Sequence, residues 1–162
     1  MKTTLTLLFI LVLCTGCTTG AFWSDFREDD LRENESDQGP WGGKREMYWK
    51  ADGGHGFTRS EVIAYAEDND WELKDTVTIP AERLSNWKNG SQPAFPFTYD
   101  GTFEDIDLIH PFKRWITTDV ILYRFITGNC AIDAMDEKTW ENGYILISKD
   151  GRELSVYHFW GE

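Results

Sequence analysis

The sequence predicts an α+β fold: a small antiparallel sheet of about four or five strands, with one or two short helices on one face. Three features carry this expectation. Tyr144 to Trp160 alternates around Asp150-Gly151, the pattern of a β-hairpin. Trp115 to Thr127 (WITTDVILYRFIT) is apolar on both faces at its centre, as a strand covered on both sides should be. Thr58-Arg59-Ser60-Glu61 has the spacing of a capping box and opens a helix.

Composition sets the outer limits. The 162 residues are room for one domain, and a 41% hydrophobic fraction is enough for a packed core. The net charge of −12 argues against nucleic acid or anionic lipid headgroups as partners, because phosphates are repelled. It permits a basic protein or a cation. Eight Trp are many for so short a chain. Large rings dominate small cores, and they also anchor protein partners or stack on sugars.

Residues 1–17 read MKTTLTLLFILVLCTGC. Lys2 precedes a nearly unbroken apolar run from Leu5 to Leu13, too short for the roughly 20 residues that a membrane-spanning helix needs. Such a run fits the core of an export signal, and Thr15-Gly16 places small residues before Cys17. This ending resembles the lipobox of bacterial lipoproteins, with Cys14 standing three positions before Cys17 where the family usually has Leu. The resemblance implies a signal peptide over 1–16, a lipid on Cys17 and stable attachment of the mature protein to a membrane. Thr18 in place of Asp implies sorting to the outer membrane in a Gram-negative cell. With Cys14 removed and Cys17 acylated, Cys130 alone remains, so no intramolecular disulfide is expected.

Residues 17–46 contain one aliphatic side chain larger than Ala, Leu31, and many acids. They are expected to form a flexible acidic tether that lifts a compact domain over 47–162 off the membrane. Met47 to Lys50 is then the first strand, and a Gly-rich loop at 53–56 leads to the helix, with Val62, Ile63, Tyr65 and Ala66 available for its inner face. Trp71, Leu73 and Thr76 to Ile79 resume an extended pattern ended by Pro80, and Pro80-Ala81-Glu82 starts a second short helix. Ser91 to Thr102, with Pro93 and Pro96, is a loop or an edge strand. In the hairpin Ile147 is expected to face Leu154 and Ile145 to face Val156, with positive φ at both Asp150 and Gly151. Tyr157 and Phe159 fall on the face opposite His158 and Trp160.

Motifs for chemistry are sparse. Cys130, His110 and His158 lie in no recognisable nucleophile motif. The three histidines share no metal-ligand spacing, and Asp52 with His55 makes a thin cation site. No cofactor is expected. The sequence therefore favours a non-enzymatic envelope lipoprotein whose acidic domain binds another envelope molecule, foremost a basic protein. An immunity-type inhibitor that covers the basic site of a toxin is one form of this. The candidate binding residues are Trp115, Tyr157 and Phe159 with the acids Glu104, Asp105 and Asp107. Alternatives are a glycan- or peptidoglycan-binding module and a small carboxylate-dependent hydrolase.

Overall fold

The computed structural model describes residues 20–81, 94–95, 108–109, 118–132 and 138–161. Six strands form one sheet in the order β1-β2-β8-β7-β6-β3, every neighbouring pair antiparallel. They are β1 (Leu31–Gln38), β2 (Gly42–Lys50), β3 (Glu72–Ile79), β6 (Val120–Ile132), β7 (Lys138–Ser148) and β8 (Glu153–Gly161). A separate short pairing joins β4 (Ala94–Phe95) to β5 (Leu108–Ile109). The helix α1 (Arg59–Glu67) begins with the expected capping box, in which Thr58 Oγ1 accepts from Glu61 N–H and Glu61 Oε2 from Thr58 N–H. The antiparallel sheet with a helix matches the expected class, but six strands replace four or five. Of the second helix expected to start at Pro80-Ala81-Glu82, only Pro80 and Ala81 are among the described residues, and the rest lies outside them.

The extra strand comes from the segment expected to be a tether, and that expectation is corrected. Residues 20–46 are folded onto the sheet rather than extended away from it. Ala21–Asp25 forms a 3-10 turn that buries Trp23 completely, and Phe26 is 5% exposed. Trp23 meets Phe22, Phe26, Trp49, Tyr65 and Trp71 at ring-centroid distances of 5.2–6.2 Å. Two side chains fasten the turn through its backbone: Trp49 Nε1 donates to Phe26 O at 2.8 Å, and Tyr65 Oη donates to Phe22 O at 2.8 Å. Arg27 lies 4.3 Å over the Phe57 ring and donates to His55 O. A count of aliphatic residues misses this burial because aromatic rings do the work. Each ring buries about 150–250 Å².

The inner face of the sheet carries Met47 and Trp49 of β2, Leu154 and Val156 of β8, Ile145 and Ile147 of β7, and Tyr123 and Phe125 of β6. Val62 and Ala66 of α1 and the 20–26 turn pack into the same cluster, with Ile63 and Tyr65 partly buried against it. The opposite face is buried as well, at Leu122, Arg124, Tyr144, Leu146, Ser155 and Tyr157. Double burial of β6 explains why its centre reads as a continuous apolar run.

The C-terminal hairpin has the expected register, Ile145 opposite Val156 and Ile147 opposite Leu154. Its turn differs. Four residues, Lys149 to Arg152, separate the strands, positive φ is confined to Gly151 (φ 68), and Gly151 N–H donates to Ser148 O at 2.8 Å. Asp150 Oδ1 replaces the missing cross-strand bonds, accepting from Ser148 Oγ at 2.7 Å and Arg152 N–H at 3.0 Å. A loop longer by an even number keeps the alternation of faces, so the pairing survives the change of turn.

Candidate functional site

Two features of the described sheet are unusual enough to ask what they are for. The first is the end of the sheet farthest from the 149–152 turn. Here Gly42 pairs with Gly161, Gly161 with Ala131, and Ala131 with Thr139, so four strands are level in one row. Direct contact between β8 and β6 requires β7 to step aside, and a bulge between Phe125 and Ala131 lets it do so. A buried polar network holds the bulge. Asn142 Nδ2 donates to Asn129 O at 2.9 Å and Phe159 O at 2.7 Å, which fixes its amide. Its Oδ1 accepts from Thr127 Oγ1 at 2.7 Å, and Thr127 Oγ1 lies 3.1 Å from His158 Nε2.

Since the hydroxyl hydrogen of Thr127 is committed to Asn142, the hydrogen shared with His158 belongs to Nε2. His158 is therefore a donor to Thr127, the reverse of the base that would activate a hydroxyl nucleophile. Thr127, Asn142 and His158 are 4%, 0% and 0% exposed. Asn142 and Thr127 supply partners to backbone groups that an interrupted ladder would leave unpaired (Asn129 O, Phe159 O and Asn129 N–H), and His158 holds the Thr127 hydroxyl.

On this end sit the only large apolar side chains that are exposed among the described residues, Trp41 (77%) and Trp140 (50%). Trp41 is at the tip of the β1–β2 hairpin, where Gly39, Pro40 and Trp41 connect the strands and Gly39 N–H donates to Gly42 O at 2.7 Å. A Cβ at Gly161 would collide with Trp41 O, so glycine there lets the hairpin tip close onto β8. Trp140 follows Thr139 on β7.

The second feature is β1 itself, an edge strand reading LRENESDQ and exposed along most of its length. Glu33, Glu35 and Asp37 alternate along it, opposite Tyr48, Glu46 and Lys44 of β2. Charge on an edge strand suppresses pairing with another copy of the same edge. Tyr48 Oη donates to Glu153 Oε1 at 3.1 Å, and burial together with the Glu153 charge pushes the phenol far above its ordinary range.

The residues singled out from sequence fare unevenly. Tyr157 is 2% exposed and Phe159 partly buried; Tyr144, Tyr157 and Phe159 form an aromatic cluster, with Tyr144 and Phe159 stacked at 6.1 Å. Tyr157 is thus a packing residue and not an exposed anchor. Cys17, Glu104, Asp105, Asp107 and Trp115 lie outside the described residues, as does His110. Trp23, Trp49 and Trp71 are core. Asp52 is paired with Arg32 at 2.6 Å, and no group of three His, Cys, Asp or Glu that could hold a metal ion occurs among the described residues. No described helix is long and apolar enough to cross a membrane. Sequence reasoning missed Trp41 by assigning it to a tether, although Pro40-Trp41 between Gly39 and Gly42-Gly43 is itself a turn signal. No protein-family model, curated protein or solved structure matches the chain.

Proposed function

We propose that the chain is a lipid-anchored bacterial envelope protein whose acidic domain binds a basic extended segment of another envelope protein and catalyses no reaction on it. The observation that supports this reading is β1: eight residues at the edge of the sheet, six of them exposed, carrying the half-buried Glu33 and the exposed Glu35 and Asp37. The outer side of an edge strand offers N–H and C=O groups to an added strand. Its carboxylates reject a second acidic edge and attract Lys and Arg, which accelerates encounter with a basic partner. An inhibitor that covers the basic site of a toxin is one form of such a protein. Attachment to the envelope rests on the lipobox-like ending at Cys17.

The test is site-specific photo-crosslinking in intact cells, with the reactive residue at Asn34 on β1 or at Lys74 on β3, the opposite edge. The expected result is a protein adduct from Asn34 only, lost in Glu33→Lys/Glu35→Lys/Asp37→Lys and weakened as ionic strength rises. Equal adducts from the two edges, or an adduct indifferent to the charge reversal, would overturn the proposal. The exposed indoles of Trp41 and Trp140 favour a second reading, a glycan- or peptidoglycan-binding module. Soluble peptidoglycan fragments that shift the Trp emission of the full chain, with the shift lost in Trp41→Ala, would select that reading.

A further inference from the structure

We infer that the Trp41/Trp140 end of the sheet is a membrane-docking surface, which seats the domain directly on the outer layer of the bilayer that holds its lipid. The inference rests on the lipid-anchor reading of Cys17, and three observations carry it further.

The first is where the chain enters the fold. Gly20 is already packed: a Cβ built there would lie 3.0 Å from His158 Nδ1 and 3.5 Å from Trp71 Cζ2. Cys17 is three residues earlier, so a lipid on it is within about 10 Å of Gly20 even if the chain is fully extended. No spacer of thirty residues intervenes, and the domain has no means of standing off the membrane.

The second is which end this entry lies on. His158 is three residues from Gly161 on β8, about 10 Å from the Gly42–Gly161–Ala131–Thr139 row, and roughly twice as far from the 149–152 turn. Its ring contacts Trp160 at 5.0 Å. The anchor and the two exposed indoles therefore share one end of the molecule. Neighbouring strands are about 4.8 Å apart, so Trp41 and Trp140 flank a row roughly 15 Å wide, a two-point contact rather than a single peg.

The third is charge. In a chain with 27% charged residues, three of the segments that build this end carry none, Gln38 to Gly43 (QGPWGG), Thr127 to Ile132 (TGNCAI) and Phe159 to Gly161 (FWG), whereas residues 133–137 (DAMDE), which join β6 to β7, carry three acids. Lys138 and Glu141 flank Trp140 on β7. A carboxylate pressed into the interface costs free energy that an indole does not, so the contact falls on the uncharged strip from the β1–β2 tip across β8, with the acids of the β6–β7 connection kept in water. Trp is enriched at membrane–water boundaries because its ring is apolar and its N–H stays wet.

The experiment uses the full chain, purified from membranes in detergent and reconstituted into phosphatidylcholine vesicles with or without brominated acyl chains, which quench indoles that reach the interface. Intact mass reports whether Cys17 is acylated, independently of docking. The wild-type chain is expected to show bromolipid quenching, and Trp41→Phe/Trp140→Phe to lose it while keeping the same melting temperature. An acylated protein whose quenching is absent, or is unchanged in the double variant, overturns the docking surface and leaves the anchor standing. A chain without acyl groups whose quenching still depends on Trp41 and Trp140 supports the surface and overturns the anchor.

Discussion

At the scale of single residues, the 149–152 turn concentrates several constraints. Gly151 adopts φ 68, and a Cβ there would meet Phe57 O at 2.7 Å, so Gly151→Val is strained by its backbone and blocked by a neighbour. Val156 is 1% exposed beside Ile145, and Val156→Asp would bury an unpaired charge. Glu153 is half-buried and holds Tyr48 Oη. Chemical denaturation midpoints should rank Val156→Asp lowest, then Gly151→Val, with Glu153→Lys mildest; a midpoint for Glu153→Lys below that of Val156→Asp would show the faces to be reversed. Asp150 adds a pH dependence. Its bonds from Ser148 and the Arg152 N–H hold its carboxyl below the usual range, and Asp119 is held low by the Ala81 N–H and Lys149. A depressed folded pKa gives stability that is present above the unfolded value of about 3.9 and is lost as pH falls through the folded value. Asp150→Asn should therefore flatten the loss of melting temperature between neutral pH and pH below 4, and an unaltered acid limb would refute the assignment.

At the scale of elements, the hairpin, the capped helix and the core strand β6 were legible because each repeats a short-range rule: alternation, cap spacing, a run of β-branched residues. The tightness of Thr58 to Glu61 is purely local, and so it was readable. The N-terminal segment was not, because the burial of Trp23 and Phe26 needs partners far along the chain, at Trp49, Tyr65 and Trp71. An edge strand needs no apolar side chain, which makes LRENESDQ read as linker. Trp23→Ala should cost about 3–5 kcal/mol as a cavity in the core. For a chain of this length that lowers the melting temperature by roughly 6–20 °C, and a drop under about 3 °C would return the segment to tether status. The candidate site was less legible still. Thr127, Asn142 and His158 follow no motif and meet where the β6–β7 register breaks between Phe125 and Ala131. Thr127→Val should leave Asn142 Oδ1 without its hydroxyl donor at a cost of about 1–3 kcal/mol. Since the network pins the bulge, amide exchange at Asn129 and Cys130 should rise more than the global loss explains, and uniform exchange would argue against that role.

At the scale of the whole molecule, the sheet order has a kinetic meaning. The β1–β2 hairpin, built before residue 51, finds its place only against β8, through pairs such as Trp49 with Leu154 and Lys50 with Glu153. Those contacts span more than a hundred residues, and pairings of such long range are slow to form because loop closure must precede any gain from them. Until Glu153–Gly161 arrives, β2 and β7 both present open edges, and Trp23 and Trp49 lack the floor supplied by Leu154 and Val156. Under the proposed export the chain would have to stay unfolded while it crosses a membrane, and a central strand of the sheet, β8, is the last of the described strands in chain order. Removing residues 153–162 should thus leave a protease-sensitive chain rather than a smaller stable domain. The arrangement that makes the fold late to assemble would, under that proposal, also keep the chain unfolded in transit.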